Sequence, residues 1–222
     1  MTFGDDELYR DITGFAQDTP TWVRHATEVW TEAGILVFGA LFVVAWWRSR
    51  RGDTRAFAIA VLAPVATAVA YVCSELLKSG FAEERPCRAV AGAVPSLVEC
   101  PPAGDWSFPS NHATIAGASA VALALALVRR AVIWLTAPLA LLMAFSRVFV
   151  GVHYPHDVAA GLLLGAVVAA AAVRLGTRPV TRLAEAARAS TAPAVRWLTG
   201  PGPAAASAVP PASSYVASHR RR

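Results

Sequence analysis

At 222 residues, with 55% hydrophobic content against roughly 45–50% in soluble domains even with Gly counted, the chain is too apolar for an ordinary soluble fold. Its apolar residues are bunched into several runs of 15 to 22 residues, more than one soluble core can hold. The net charge of +5 is placed between those runs, so it reports membrane topology and excludes a nucleic-acid-binding role.

In chain order, residues 1–30 carry no cleaved-signal pattern: Asp5, Asp6 and Glu7 stand where a basic n-region belongs, and no long apolar stretch follows before residue 28. Residues 7–30 are read as an extracytoplasmic amphipathic helix, lying on the membrane or partly inserted. Five spans are expected next. Ala33 to Trp47 carries no charge, and Ala56 to Leu77 carries only Glu75. Ala113 to Val128, Ala131 to Ser146 and Val158 to Val173 carry none. Flanking neutral residues and snorkelling Arg side chains extend the shorter runs to bilayer thickness. The expected fold is therefore all-α, a polytopic membrane helix bundle with its core at 31–175.

Fourteen of the twenty basic residues fall on one side of this alternating topology: Arg48, Arg50, Arg51, Arg55, Arg129, Arg130, Arg174 and the seven arginines beyond it. The positive-inside rule makes that side and the C-terminus cytoplasmic. Residues 176–199 read as a basic interfacial helix on the inner leaflet. Residues 200–222, rich in Pro, Ala, Ser and Gly, read as a disordered tail. Of three cysteines, Cys73 sits within a span as packing. Cys87 and Cys100 share the outside connection 78–111, where an oxidising compartment favours a disulfide over two free thiols.

Three polar clusters, distant in sequence, reach the same membrane face. Lys78 to Pro86 follows the second span, Phe108 to His112 opens the third, and Ser146 to Asp157 joins the fourth and fifth. Lys78, Arg85 and Arg147 supply cations suited to phosphate. Pro109 and Pro155 mark helix starts, whose backbone N–H groups and dipole favour an anion near Ser110, Asn111 and His112. A spacing of four brings the Asp157 carboxylate to the His153 ring. There it sets the tautomer and leaves the other ring nitrogen free to attack phosphorus. His112 is the candidate general acid. Taken singly these are ordinary features: an edge Arg usually snorkels, and a His–Asp pair at a helix start usually caps. Only their joint occurrence points to catalysis. His156 fits no role and is read as structural; Glu83, Glu84 and Arg88 are read as solvated loop charges.

The clusters resemble the three-part signature of the type-2 phosphatidic acid phosphatase superfamily: Lys-x6-Arg-Pro, Pro-Ser-Gly-His and Ser-Arg-x5-His-x3-Asp. The first and third match at every defining position, and the second departs once, with Asn111 in place of Gly. Asn tolerates left-handed backbone angles better than most residues. FPSNH and FSRVFVGVHYPHD are similar to the bacitracin-resistance type of undecaprenyl-diphosphate phosphatase. The resemblance implies a plasma-membrane lipid phosphatase acting on a polyprenyl diphosphate at the extracytoplasmic face. It implies His153 as nucleophile through a phosphohistidine, Asp157 orienting it, and His112 protonating the leaving group. Lys78, Arg85, Ser110, Asn111 and Arg147 would hold the phosphoryl oxygens. No metal or other cofactor is implied, and the sequence shows no obvious ligand set. Phosphatidate, phosphatidylglycerol phosphate or a glycolipid phosphate is the second substrate reading. A non-enzymatic carrier or lipid-binding protein is the alternative of another class; the nearly charge-free spans and the lack of an internal repeat disfavour it. A haloperoxidase with related chemistry has no use for the spans.

Overall fold

The structure, a computed structural model, describes residues 5–127 and 130–203. Among them it is all-α: α1 (Asp5–Asp18), α2 (Thr21–Ser49), α3 (Thr54–Phe81), the single turn α4 (Pro86–Ala89), α5 (Asn111–Leu127), α6 (Arg130–Phe149), α7 (Pro155–Arg188) and α8 (Pro193–Thr199). Four segments are long and apolar enough to cross a bilayer: Thr21–Ser49, Thr54–Ala89, Val132–Phe149 and Pro155–Arg188. The fifth expected span, α5, is a shorter apolar helix of 17 residues, about 26 Å of helix against roughly 30 Å of hydrocarbon. It is also the innermost helix, enclosed by α3, α6 and α7.

The interior and the outside of the bundle differ as a lipid environment requires. Trp22, Leu36, Leu76, Trp134, Leu163 and Leu175 face outward, each more than 65% exposed. The packed centre is built from small residues: Ala58, Ala63, Ala70, Ala113, Ala118 and Ala169 are buried. With no water to expel between helices in lipid, close van der Waals packing of small residues holds them together. This is a multi-pass membrane protein.

The closest packing joins α5 to α7. A Cβ at Gly165 would stand 2.1 Å from the Thr114 carbonyl oxygen; at Gly161 it would stand 2.5 Å from that of Ser110, and at Gly117 2.4 Å from that of Leu162. The two backbones touch along this line, and at its end the Ser110 N–H donates to the Asp157 carbonyl at 3.1 Å. Two helix N-termini are thus locked side by side.

The N-terminal segment departs from the single helix expected over 7–30. Pro20 lacks an N–H and sits in an extended conformation, φ −55°, ψ 145°, so it ends α1 and starts α2; residues 21–30 belong to the first span. α1 remains amphipathic, burying Tyr9, Thr13 and Ala16. The Tyr9 hydroxyl donates to the Gly151 carbonyl at 2.8 Å, and its ring packs on Tyr154. α1 therefore caps the end of the bundle where α6 passes into α7. The connection from α3 to α5 covers the same end, carrying a Cys87–Cys100 disulfide.

The separate basic helix expected at 176–199 is divided as well. α7 continues through Pro179 to Arg188, and only Pro193–Thr199 forms its own short helix. Arg188 anchors this extension by donating to the Gly52 carbonyl and the Thr54 hydroxyl, both at 3.1 Å, and to the Thr199 carbonyl at 3.3 Å. Arg50 lies over the rings of Trp46, Trp47 and Trp197, at the end of the bundle opposite α1. Residues 204–222, most of the expected tail, lie outside the described residues, as does Arg129 of the expected α5–α6 turn.

Replacing Gly165 by Val forces the α5 and α7 backbones apart. The expected cost is about 1–3 kcal/mol or more, read as a fall in the thermal unfolding midpoint of the detergent-purified protein. Gly39, where an added Cβ meets nothing within 4 Å, tolerates Ala with little change.

Candidate active site

The end of the bundle capped by α1 collects all three polar clusters. Lys78 lies in the last turn of α3 and Arg85 in the chain just after it. Ser110 precedes α5, and His112 is its second residue. Arg147 is in the last turn of α6, His153 in the short link to α7, and Asp157 in the first turn of α7. The α5–α7 contact brings the second and third clusters together, and the chain leaving α3 adds the first.

His153 is 1% exposed. Its Nδ1 lies 3.3 Å from Asp157 Oδ2 and 3.3 Å from the Ser107 hydroxyl, while its Nε2 lies 3.1 Å from Arg85 Nη1. A guanidinium only donates, so Nε2 must accept, and the network assigns the proton to Nδ1. Asp157 is itself fixed: Oδ2 accepts the Tyr154 N–H at 2.8 Å and the Ser107 hydroxyl. Burial, then the charges of Arg85, Arg147 and Lys78, hold the His153 ring well below its ordinary value of 6.5, with Asp105 opposing. At neutral pH the buried ring keeps its lone pair on Nε2, pointed among the cations.

Lys78, Arg85 and Arg147 are each about 5% exposed, and each is held by an acid the sequence pattern did not mark. Asp105 accepts from Lys78 Nζ at 3.3 Å and from Arg85 Nη2 at 2.9 Å, and its carbonyl takes Arg85 Nε at 2.8 Å. Burial alone would raise the Asp105 carboxyl, but the hydrogen bond and charge of Arg85, with Lys78, keep it below its ordinary range. Arg147 donates to the Thr31 hydroxyl at 2.8 Å and pairs with Glu32 at 3.4 Å. Two buried donors, Ser110 Oγ and Arg147 Nε, have no hydrogen-bond partner among the described residues. Three cations, two orphaned donors and a helix N-terminus make a site for an oxyanion with a neutral imidazole nitrogen beside it.

Other expected residues fall less simply. The Asn111 side chain is engaged by α3: Ser74 donates to its Oδ1 at 2.7 Å, and its amide donates to Glu75. Its contribution at the site is the backbone of the first α5 residue. His112 is half-buried and makes no hydrogen bond to a described residue. Ser107, Asp105, Thr31 and Glu32 had no motif to reveal them; Ser107 sits one residue outside the Phe108–His112 cluster. Glu83 is not a solvated charge but pairs with His156 at 3.2 Å, whereas Arg88 pairs with Glu84 as a loop ion pair. The expectation of no metal-ligand set also changes: Glu83, His156 and Asp157 bring ligand atoms within 4.8 Å of one another. Folding assembles them from segments that are 73 residues apart in sequence.

A match to the PAP2 superfamily covers residues 59–180. The undecaprenyl-diphosphatase BcrC of Bacillus subtilis is 34% identical over 162 residues, 73% of this chain and 79% of that protein. A decaprenylphosphoryl-5-phosphoribose phosphatase of Mycobacterium tuberculosis is 36% identical over 137 residues, 62% of this chain and 68% of that protein. The crystal structure of a transmembrane PAP2-type phosphatidylglycerolphosphate phosphatase from Bacillus subtilis superposes with a TM-score of 0.57 at 20% identity. The match covers 76% of this chain and 84% of that one, a likeness of fold.

Asp105, 44% exposed, places a carboxylate against two of the cations an incoming oxyanion needs. Asp105→Asn is expected to tighten the binding of inorganic phosphate on the order of fivefold, as loss of roughly 1 kcal/mol of competing ion pairing implies. Calorimetric titration of the purified protein measures it, and equal or weaker binding contradicts the competition.

Proposed function

The chain belongs to the PAP2 superfamily and is a membrane phosphatase, and from this premise we propose that it hydrolyses a polyprenyl diphosphate, of the undecaprenyl type, to the monophosphate through a phosphohistidine. The observation that carries the mechanism is the polarity of His153: Nδ1 faces Asp157, and Nε2 presents its lone pair to the cations. The substrate reading is supported by the relative named as an undecaprenyl-diphosphatase, matched over 79% of its length.

In the proposed reaction, Lys78, Arg85 and Arg147 take the terminal phosphoryl group, with Ser110 Oγ and the backbone N–H groups opening α5. Arg85 moves from Nε2 to a phosphate oxygen. Nε2 attacks phosphorus, a P–N bond forms, and the bond from phosphorus to the bridging oxygen breaks. The lipid monophosphate leaves, its oxygen taking the proton of His112, which enters the step as an imidazolium held by the negative charge of the bound diphosphate. Asp157 steadies the positive charge that grows on the His153 ring, as Ser107 steadies Asp157. Neutral His112 then takes a proton from water, whose oxygen attacks the phosphohistidine, and inorganic phosphate departs with His153 restored. The three cations matter most where charge spreads over the equatorial oxygens.

The site is read as extracytoplasmic. Supporting this are the arginines Arg48, Arg50, Arg51, Arg55, Arg174, Arg178 and Arg182 near the opposite end. The Cys87–Cys100 bridge, on the site's own end, also suits an oxidising compartment. A second substrate reading, a glycolipid phosphate, is favoured by the decaprenylphosphoryl-5-phosphoribose phosphatase, which matches at slightly higher identity.

Phosphate release from purified lipids tests the reading. Polyprenyl diphosphate is expected to be cleaved in preference to phosphatidate and to a prenyl-linked sugar phosphate. Preferential release from the sugar phosphate selects the second reading, and no release from either prenyl lipid removes both. On the preferred substrate, His153→Ala is expected to lower kcat at least about 10³-fold and His112→Ala about 10²- to 10⁴-fold.

A further inference from the structure

His156, second residue of α7, takes no part in the chemistry above. Its ring packs against Tyr154, with centroids 5.3 Å apart and planes inclined by 16°, and against Phe108 at 5.8 Å. Its Nδ1 meets the Asp5 carboxylate at the start of α1. With Nδ1–H donated to Asp5, Nε2 lies against two carboxylates, Glu83 at 3.2 Å and Asp157 Oδ1 at 3.3 Å, whose charge is offset by a proton on Nε2 or by a metal ion that displaces it. Asp157 is fully buried, and this Oδ1 has no hydrogen-bond partner among the described residues. Three electron-rich atoms converge at a point that a cation stabilises.

We propose that Glu83, His156 and Asp157 form a divalent transition-metal site, best suited to Zn²⁺, and that metal bound there slows the enzyme. The two spacings from Nε2 fit: a tetrahedral zinc ion with N and O ligands at about 2.0–2.1 Å holds them roughly 3.3–3.4 Å apart, and all three ligand atoms lie within 4.8 Å of one another. The two Nε2–oxygen distances are 3.2 and 3.3 Å. The Asp5–His156 contact is the outer carboxylate that fixes the tautomer of a metal-bound imidazole. One imidazole nitrogen and two carboxylate oxygens, with a water as fourth ligand, favour zinc-like ions over Mg²⁺ or Ca²⁺, which want more oxygens. Glu83 and His156, 35% and 38% exposed, leave the site open to solvent ions.

The consequence for activity follows from Asp157, which has one oxygen in each site. Oδ2 holds Ser107 and the Nδ1 side of His153, while Oδ1 would bind the metal. A divalent ion on Oδ1 draws charge from the carboxylate and weakens its support for the imidazolium that attack creates. This inhibition rests on the role proposed for Asp157; the binding does not.

Titration calorimetry of the full-length protein in detergent, first stripped with EDTA and then given ZnCl₂ alone, tests the site. The wild type is expected to bind one ion per chain at this site. His156→Ala and the shape-conserving Glu83→Gln are expected to weaken binding at least tenfold. His25→Ala, which alters a surface His–Glu pair on α2, is expected to bind as the wild type does. No binding by the wild type, or undiminished binding by both variants, overturns the site. Saturating Zn²⁺ is expected to lower wild-type phosphate release severalfold and to leave His156→Ala at its own metal-free rate. Zinc bound at the site without loss of wild-type rate overturns the inhibition. Calorimetry needs no substrate, so a wrong substrate assignment leaves the binding result intact.

Discussion

The contact of the α5 and α7 backbones at Gly117, Gly161 and Gly165 is the constraint on which the rest of the structure depends. It brings two helix N-termini to one point and ties them with the Ser110 N–H to Asp157 carbonyl bond. One of these termini carries His112 and the other follows His153. An extra methylene between them would separate the proposed acid from the proposed nucleophile and open the anion site. Lipid makes this packing possible, because there the helices gain from close backbone approach rather than from burying large side chains.

The second organising feature is electrostatic. Three cations buried at one end of a membrane bundle would repel one another and their surroundings strongly if left alone. Asp105 and Glu32 offset them in the free protein, and a phosphate group can offset them in the complex. An acid on the α3–α5 connection and another on α2 thus offset the cations that the proposed reaction gives to an oxyanion. The same cations, together with burial, keep His153 unprotonated. Charge proposed to bind the substrate would therefore also prepare the proposed nucleophile. Asp105 opposes this, while Asp157 lies against Nδ1, the nitrogen that carries the proton.

The amino-acid sequence made a large part of this legible. Charge-free runs located the helices, and arginine placement supplied the proposed orientation in the membrane. The spacing of Lys78, Arg85, Ser110, His112, Arg147, His153 and Asp157 named residues that the fold does bring to one end. The partners of those residues were not legible. Ser107, Asp105, Thr31 and Glu32 act through contacts between segments far apart in sequence, and no local period marks such contacts. Asn111 occupied a motif position, yet its side chain turns to Ser74 and Glu75, because α3 offers it a donor and an acceptor. The break at Pro20 was visible as a residue, but its effect depended on α1 finding a docking surface at Gly151 and Tyr154. The continuation of α7 through Pro179 depended on Arg188 reaching the turn between α2 and α3.

The most direct test of the account is to look for the covalent intermediate itself. Purified protein is mixed with polyprenyl diphosphate labelled in its terminal phosphate, quenched with alkali within the first turnover, and digested for peptide mapping. Label is expected on the peptide containing His153, attached to its ring nitrogen and absent from His153→Ala. Turnover of the same substrate with no label on the protein, or with label at a residue other than His153, would contradict it.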